Sequence, residues 1–216
     1  KNNSKISKFV TNNKKSIAVR FPKHKLLRNL LKNLDYPVAA PSANISSRLS
    51  SVKPSDVKEE FGSKIKYILN GGKSKIGVES TILNLLEKPS LLRYGGLDTK
   101  KIENVLKKKL LINTNSKKKL SPGLFPLHYS PGIPLRVNVK KPKKDEAYLL
   151  IKKRKSKLKN YYYLSKMKNI DEAAKNLYST LRKIKNDGFK KIAVEKIPNK
   201  GLGKTINDRL KRASKY

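Results

Sequence analysis

The chain has 216 residues, 37% of them hydrophobic, and 53 Lys or Arg against 15 Asp or Glu give it a formal charge of +38. That length suits one or two domains with a lean core, and the absence of Cys excludes a disulfide scaffold or a thiolate zinc site. With two His a metal site is not expected, no apolar run approaches the roughly 18–20 residues of a membrane span, and the polar Lys1–Lys8 does not read as a signal peptide. A cytoplasmic protein is the expectation. The chain opens on Lys rather than Met, which reads as a sign that sequence upstream is missing.

Nine of the 53 cations are Arg and the other 44 are Lys, spread along the whole length rather than in one stripe. Dedicated phosphate readers favour the bidentate fork of Arg. Compositional drift at solvent-facing positions therefore explains much of the charge. Weak, non-specific attraction to RNA follows from it in either case.

After a polar lead, Ser16–Arg20 is expected as a short strand. His24–Leu34 has Leu26, Leu27, Leu30, Leu31 and Leu34 on one face at helical spacing. Pro37–Ala40 reads as a second short strand, Ser42–Ser51 as a serine-rich loop, and Pro54–Glu60 as a helix opened by Pro, Ser55 and Asp56. Ile65–Leu69 is a strand stopped by Asn70-Gly71-Gly72. Ile76–Leu86 is a longer strand, turned at Pro89-Ser90 into a hairpin with Leu91–Tyr94. Asp98 or Thr99 caps a helix carrying Ile102, Val105, Leu106 and Leu110 inward.

Residues 113–134 read as a linker, polar at first and then rich in Pro, yet it carries Leu124, Phe125, Leu127 and Tyr129, side chains a solvated tether does not need. Beyond it Ala147–Ile151, Tyr161–Leu164 and Ile192–Glu195 read as strands. Asp171–Lys185 is a helix with Ala173, Ala174, Leu177, Leu181 and Ile184 inward. Gly201–Gly203 opens a last helix holding Ile206, Leu210 and Ala213. Strands and helices alternating in this way make a small open α/β sheet.

Three polar clusters stand where chemistry could occur. Ala40-Pro41-Ser42-Ala43-Asn44 ends a strand in a turn of small residues, either ordinary capping or a place for a ligand to approach the backbone. Gly77-Val78-Glu79-Ser80-Thr81-Ile82 sets Ser80 on the face of Val78 and Ile82, with Glu79 and Thr81 opposite. Those polar groups need partners or solvent. Arg93, at the end of the hairpin, can clamp a phosphate or pair with a carboxylate such as Glu79, and Arg20 offers a similar choice.

Read together, SIAVRFPKH, PVAAPSAN, IGVESTILNL, LLRYGG and SPGLFPLHYSP occur in the order and spacing of the longer threonylcarbamoyl-AMP synthases, YrdC-like enzymes with an extra C-terminal domain. The closing GLGKTINDRLKRAS is similar to that domain's last loop and helix, so the resemblance covers residues 16–216. Shorter YrdC-like proteins, and the YrdC modules of hydrogenase-maturation factors, lack the His128-Tyr129 linker and the domain behind it.

The resemblance implies an α/β fold: the second half of a YrdC-like twisted open sheet with helices (1–112), a linker or lid (113–134) and a small Rossmann-like α/β domain (135–216). It implies that threonine and bicarbonate form an N-carboxylated threonine that attacks the α-phosphate of ATP, giving threonylcarbamoyl-AMP and pyrophosphate. A partner, the tRNA threonylcarbamoyl-transfer machinery, would then modify an adenosine beside the anticodon. Such a site needs positioning and charge neutralisation rather than a covalent nucleophile, and no catalytic residue is assigned.

By similarity Ser16, Ser42, Asn44, Ser50 and Arg93 line the nucleotide. Arg20, Ala40 (through its backbone) and Ser80 line threonine, and Tyr129 reaches back over ATP from the linker. Mg²⁺ is expected with the triphosphate, without protein ligands, and the resemblance also carries an expectation of double-stranded RNA binding.

Three departures stand out. Ser46-Ser47 replaces the usual Ser-Gly after the SAN turn, and Leu124–Leu127 is apolar where basic residues are usual. The Pro-Thr-Glu-Thr turn and the ATP-gripping Lys/Arg pair of the family are not in these 216 residues. The chain therefore reads as an N-terminally truncated fragment, expected to be inactive by itself. The competing readings are a non-catalytic basic RNA-binding protein with a YrdC-like surface, and a remnant that never folds alone.

Overall fold

The computed structural model describes residues 6–11, 13–14, 16–114, 127–155 and 158–215. Leu124 and Phe125 of the expected lid lie outside them. The first elements are α1 (Lys8–Thr11), α2 (Lys25–Lys32) and α3 (Pro54–Phe61). Helix α3 starts where the sequence places it, because Pro54 is preset for a first turn and the buried Asp56 carboxylate accepts from the Val52 and Lys53 amides at 2.9 and 3.2 Å. Helix α2 forms on its leucine spacing, but that face meets little: Leu26 is 42% exposed.

Strands β1 (Ile82–Asn84) and β2 (Ser90–Arg93) make the expected hairpin, and β3 (Leu111–Ile112) adds in parallel to β2. Between them α4 (Thr99–Leu106) is capped by the Asp98 carboxylate, which accepts from the Lys100 amide at 3.0 Å. The expected strands Ser16–Arg20, Pro37–Ala40 and Ile65–Leu69 are not strands here, since β-branched composition cannot make a strand without a ladder partner. Around them Phe21 and Tyr67 are 87% and 88% exposed. The long strand Ile76–Leu86 shrinks to three residues. Gly77 turns the chain at φ 79°, against the backbone of Lys175, where a Cβ would overlap it.

The rest is a four-stranded parallel sheet of β4 (Leu135–Arg136), β5 (Ala147–Lys152), β6 (Tyr161–Ser165) and β7 (Ile192–Val194), in the order β4-β7-β5-β6. Alternation along β5 sends Ala147, Leu149 and Ile151 into the main core, while Tyr148 and Leu150 join Val139 and Ala193 in a smaller cluster. The two-residue β3 and β4 were invisible in the sequence.

Helix α5 (Ile170–Asn186) is capped by Asn169, whose Oδ1 accepts from the Asp171 and Glu172 amides at 2.9 Å each. It buries Ala173, Ala174, Leu177, Tyr178, Leu181 and Ile184, and α6 (Gly203–Ala213) adds Ile206, Leu210 and Ala213. The same core takes in Leu49 and Val52 from the first half of the chain and Tyr129 and Ile133 from the end of the linker. One apolar interior therefore spans both halves. Fully burying side chains of this size contributes about 1.5–3 kcal/mol each.

Candidate active site

The approach to β1 is strapped from behind by the segment leaving β2. Arg93 donates from Nε and a terminal nitrogen to the Ser80 carbonyl at 3.2 and 2.9 Å. The Gly96 amide donates to the Glu79 carbonyl at 2.8 Å, and the Thr81 hydroxyl donates to the Leu97 carbonyl at 2.7 Å. The strap needs Gly95, because a Cβ there would overlap the backbone of Ser80 and Thr81.

Held in this way, the Glu79 side chain turns toward the helices. Its carboxylate accepts from the Ser50 hydroxyl at 2.5 Å, from the Tyr178 hydroxyl at 3.0 Å to each oxygen, and from Arg209 Nε at 2.9 Å. Arg209, 1% exposed, also donates to the Tyr94 carbonyl at 2.7 Å and to the Asp208 carboxylate. Its guanidinium carbon stands 4.6 Å from the centre of the Tyr129 ring, a cation–π contact in a desolvated place.

Tyr129 is itself 1% exposed, adopts φ 62°, stacks on Tyr178 at 5.9 Å between ring centres and touches the His128 ring at 4.0 Å. Its hydroxyl is buried with no hydrogen-bond partner among the described residues. The next residue anchors the linker end to the first half of the chain, since the Ser130 amide donates to the Ser47 carbonyl at 2.8 Å.

The electrostatics follow from this packing. Burial pushes the Glu79 carboxyl up, but the Arg209 charge and the Ser50 hydroxyl outweigh it and hold the group below its ordinary 4.5. Burial alone would lower Arg209; Tyr178, Glu79 and Tyr129 around it raise it instead. Burial, and then the Glu79 charge, keeps Tyr178 neutral, and burial likewise raises Tyr129. Burial lowers His128, and Arg209, Arg212 and Arg93 push the same way against Glu79. The cluster at neutral pH is thus an ion pair enclosed by neutral rings, with Arg93 at its edge.

Of the nine residues expected to bind substrate, the structure brings Ser50, Arg93 and Tyr129 into this neighbourhood. Asn44 is buried nearby in sequence but spends its Nδ2 on the Ile45 and Arg48 carbonyls at 2.9 and 3.3 Å, holding its own turn, while its Oδ1 has no partner among the described residues. Ser80 lends the cluster its carbonyl, and its side chain lies in an exposed residue. Arg20, Ala40 and Ser42 are exposed and Ser16 is half-buried, none of them tied into the cluster.

Sequence reasoning weighed Glu79 only as a partner for Arg93; its ion pair is with Arg209. Tyr178 and Arg209 went unremarked. The available signal was a Tyr and an Arg falling on the inward stripes of two amphipathic helices.

A family described as telomere recombination (the Sua5, YciO and YrdC type) matches residues 1–95, and the threonylcarbamoyl-AMP synthase C-terminal domain matches residues 97–215. The chain belongs to the threonylcarbamoyl-AMP synthase family. Among threonylcarbamoyl-AMP synthases, that of Pyrococcus abyssi is 32% identical over 233 residues, covering 98% of this chain and 67% of the relative. That of Bacillus subtilis is 29% identical, covering 97% and 66%, and that of Schizosaccharomyces pombe 30% identical, covering 98% and 60%. The chain thus spans about two thirds of the length of these synthases.

The crystal structure of P. abyssi Sua5 complexed with L-threonine superposes with a TM-score of 0.86 at 30% identity, over 99% of this chain and 68% of that one. A variant of the same protein with an adjacent His and Tyr changed to Ala gives 0.82 at 30% identity, over 99% and 67%. In this synthase-family chain, Glu79 comes from the first matched region and Arg209 from the second.

Proposed function

We propose that the chain acts as an L-threonylcarbamoyladenylate synthase, a nucleotidyltransferase that joins threonine, bicarbonate and ATP into threonylcarbamoyl-AMP and pyrophosphate. The carrying observation is Tyr129: a linker side chain pressed against Arg209 beside Arg93, with a buried hydroxyl that no group among the described residues satisfies. A buried hydroxyl left unpaired costs about 1–3 kcal/mol, and a ligand oxygen is the natural partner. The names of the relatives, the L-threonine held by the archaeal neighbour, and the His-Tyr dipeptide altered in its variant support the reading.

In this proposal residues 1–112 are the substrate-binding half, 113–134 the lid and 135–216 a Rossmann-like domain. Ser16, Ser42, Asn44, Ser50, Arg93 and Tyr129 face the nucleotide. Arg20, Ala40 and Ser80 face threonine, with the exposed Arg20 suited to its carboxylate. Arg93 is partly desolvated, so its charge acts strongly on a phosphate. Tyr129 orients the nucleotide and the packed linker end excludes water from a hydrolysis-prone anhydride.

Mg²⁺ would arrive with the triphosphate. Among the described residues no group of three His, Cys, Asp or Glu comes together, so no step is assigned to a protein-held ion. No helix among the described residues is long and apolar enough to cross a membrane; a cytoplasmic location, transfer to tRNA through a partner, and sequence-independent RNA contact through the charge of +38 belong to the same proposal.

Calorimetry with ATP and with L-threonine tests the reading without requiring turnover, and a chain that binds no ATP would sink it. Pyrophosphate release that needs both threonine and bicarbonate then reads the reaction.

A further inference from the structure

Arg209 carries more than packing requires. Burying a guanidinium is costly unless its nitrogens find acceptors, and here each of the three nitrogens has one, from three separate places: Glu79 before β1, the Tyr94 carbonyl after β2, and Asp208 on its own helix. Three acceptors in different directions fix the plane of the group as well as its position. The guanidinium carbon lies over the face of the Tyr129 ring, 4.6 Å from its centre. The Tyr129 backbone is in the left-handed region that a bulky residue rarely adopts, so the ring is held there by its neighbours. A lysine would supply the charge but not the rigid fork whose three nitrogens meet three acceptors at once.

We propose that Arg209, on the last helix of the C-terminal region, is a positioning residue of the nucleotide site: it acts through Tyr129, fixing the ring so that its unpaired hydroxyl points where a nucleotide oxygen binds. The contact stands on the geometry alone, and the identity of the ligand rests on the synthase reading. Helix α6 thereby completes a site whose other residues come from the first half of the chain and the linker.

The experiment compares Arg209→Lys, the double variant Glu79→Gln/Arg209→Met and Tyr129→Phe in the full chain. The double variant removes both charges together, so it folds where Arg209→Met alone leaves Glu79 buried and unpaired. Three quantities are read: the Tyr129 ring signals in aromatic ¹³C NMR, assigned from Tyr129→Phe, and the calorimetric affinities for ATP and for L-threonine.

The ring signals should move in both Arg209 variants. ATP binding should weaken about tenfold, the scale of a desolvated cation–π contact, with L-threonine affinity within about twofold of the starting chain on the same scale. Because Arg209 acts through the hydroxyl, adding Arg209→Lys to Tyr129→Phe should weaken ATP binding no further. Additive losses, equal losses for both ligands, or unmoved ring signals would each overturn the proposal, equal losses being what a purely structural role produces. A parent chain that binds no ATP removes the synthase reading and with it the nucleotide, whereas ring signals that still move uphold Arg209 as what fixes Tyr129.

Discussion

In residues 135–215 the apolar side chains of four strands and two helices close over one another, whereas in residues 16–72 Val19, Phe21, Tyr67 and Leu69 face solvent. Helices α2 and α5 make the contrast concrete. Both have apolar residues at helical spacing, and both form. Every inward position of α5 finds a strand or helix to pack on, while α2 buries no residue. Periodicity decides that an element can be amphipathic; only the presence of a partner decides that its apolar face stabilises anything.

The largest effect expected from this contrast is all-or-none. Expressed separately, residues 135–216 should melt cooperatively, and residues 1–112 should show no cooperative transition; the opposite pattern would break the comparison. Next in size, Leu177→Ala in α5 should cost about 2–5 kcal/mol as a core truncation, against less than about 0.5 kcal/mol for Leu26→Ala in α2. Denaturant melts of the two variants decide it, and equal costs would mean that the α2 face is covered in solution.

The smallest effect sharpens the boundary between the two regions. Glu79 titrates below 4.5 in the folded chain because Arg209 and Ser50 outweigh the burial that would raise it. The unfolded chain therefore binds that proton first as pH falls. The stability contributed by the pair is fully present above the ordinary glutamate value and is lost as pH falls through the folded one. Thermal melts from pH 7 to pH 3 should fall more steeply for the parent chain than for Glu79→Gln, and identical slopes would deny the pair this role.

What the sequence made legible depends on the range of the interactions involved. The β1–β2 hairpin was readable because its two apolar runs flank Pro89-Ser90, and α5 because its stripe is local. The three unformed strands failed for the opposite reason: a strand is defined by a neighbour that its own residues do not specify. The site divides in the same way. Arg93 and Tyr129 were singled out from local motifs and resemblance. Arg209 was passed over because its acceptors, apart from Asp208, lie more than a hundred residues away in sequence.

That separation also sets a clock. Glu79 and Arg209 are 130 residues apart, so at roughly 5–20 residues per second of synthesis Arg209 is made on the order of ten seconds after Glu79. For that interval the strapped backbone before β1, the Ser50 hydroxyl and the Glu79 carboxylate exist without the cation that closes over them. Closing so long a loop is entropically slow even once the chain is complete. The junction between the two regions should therefore be among the last parts of the molecule to mature, and refolding followed through Tyr129 should lag behind the formation of helix α5.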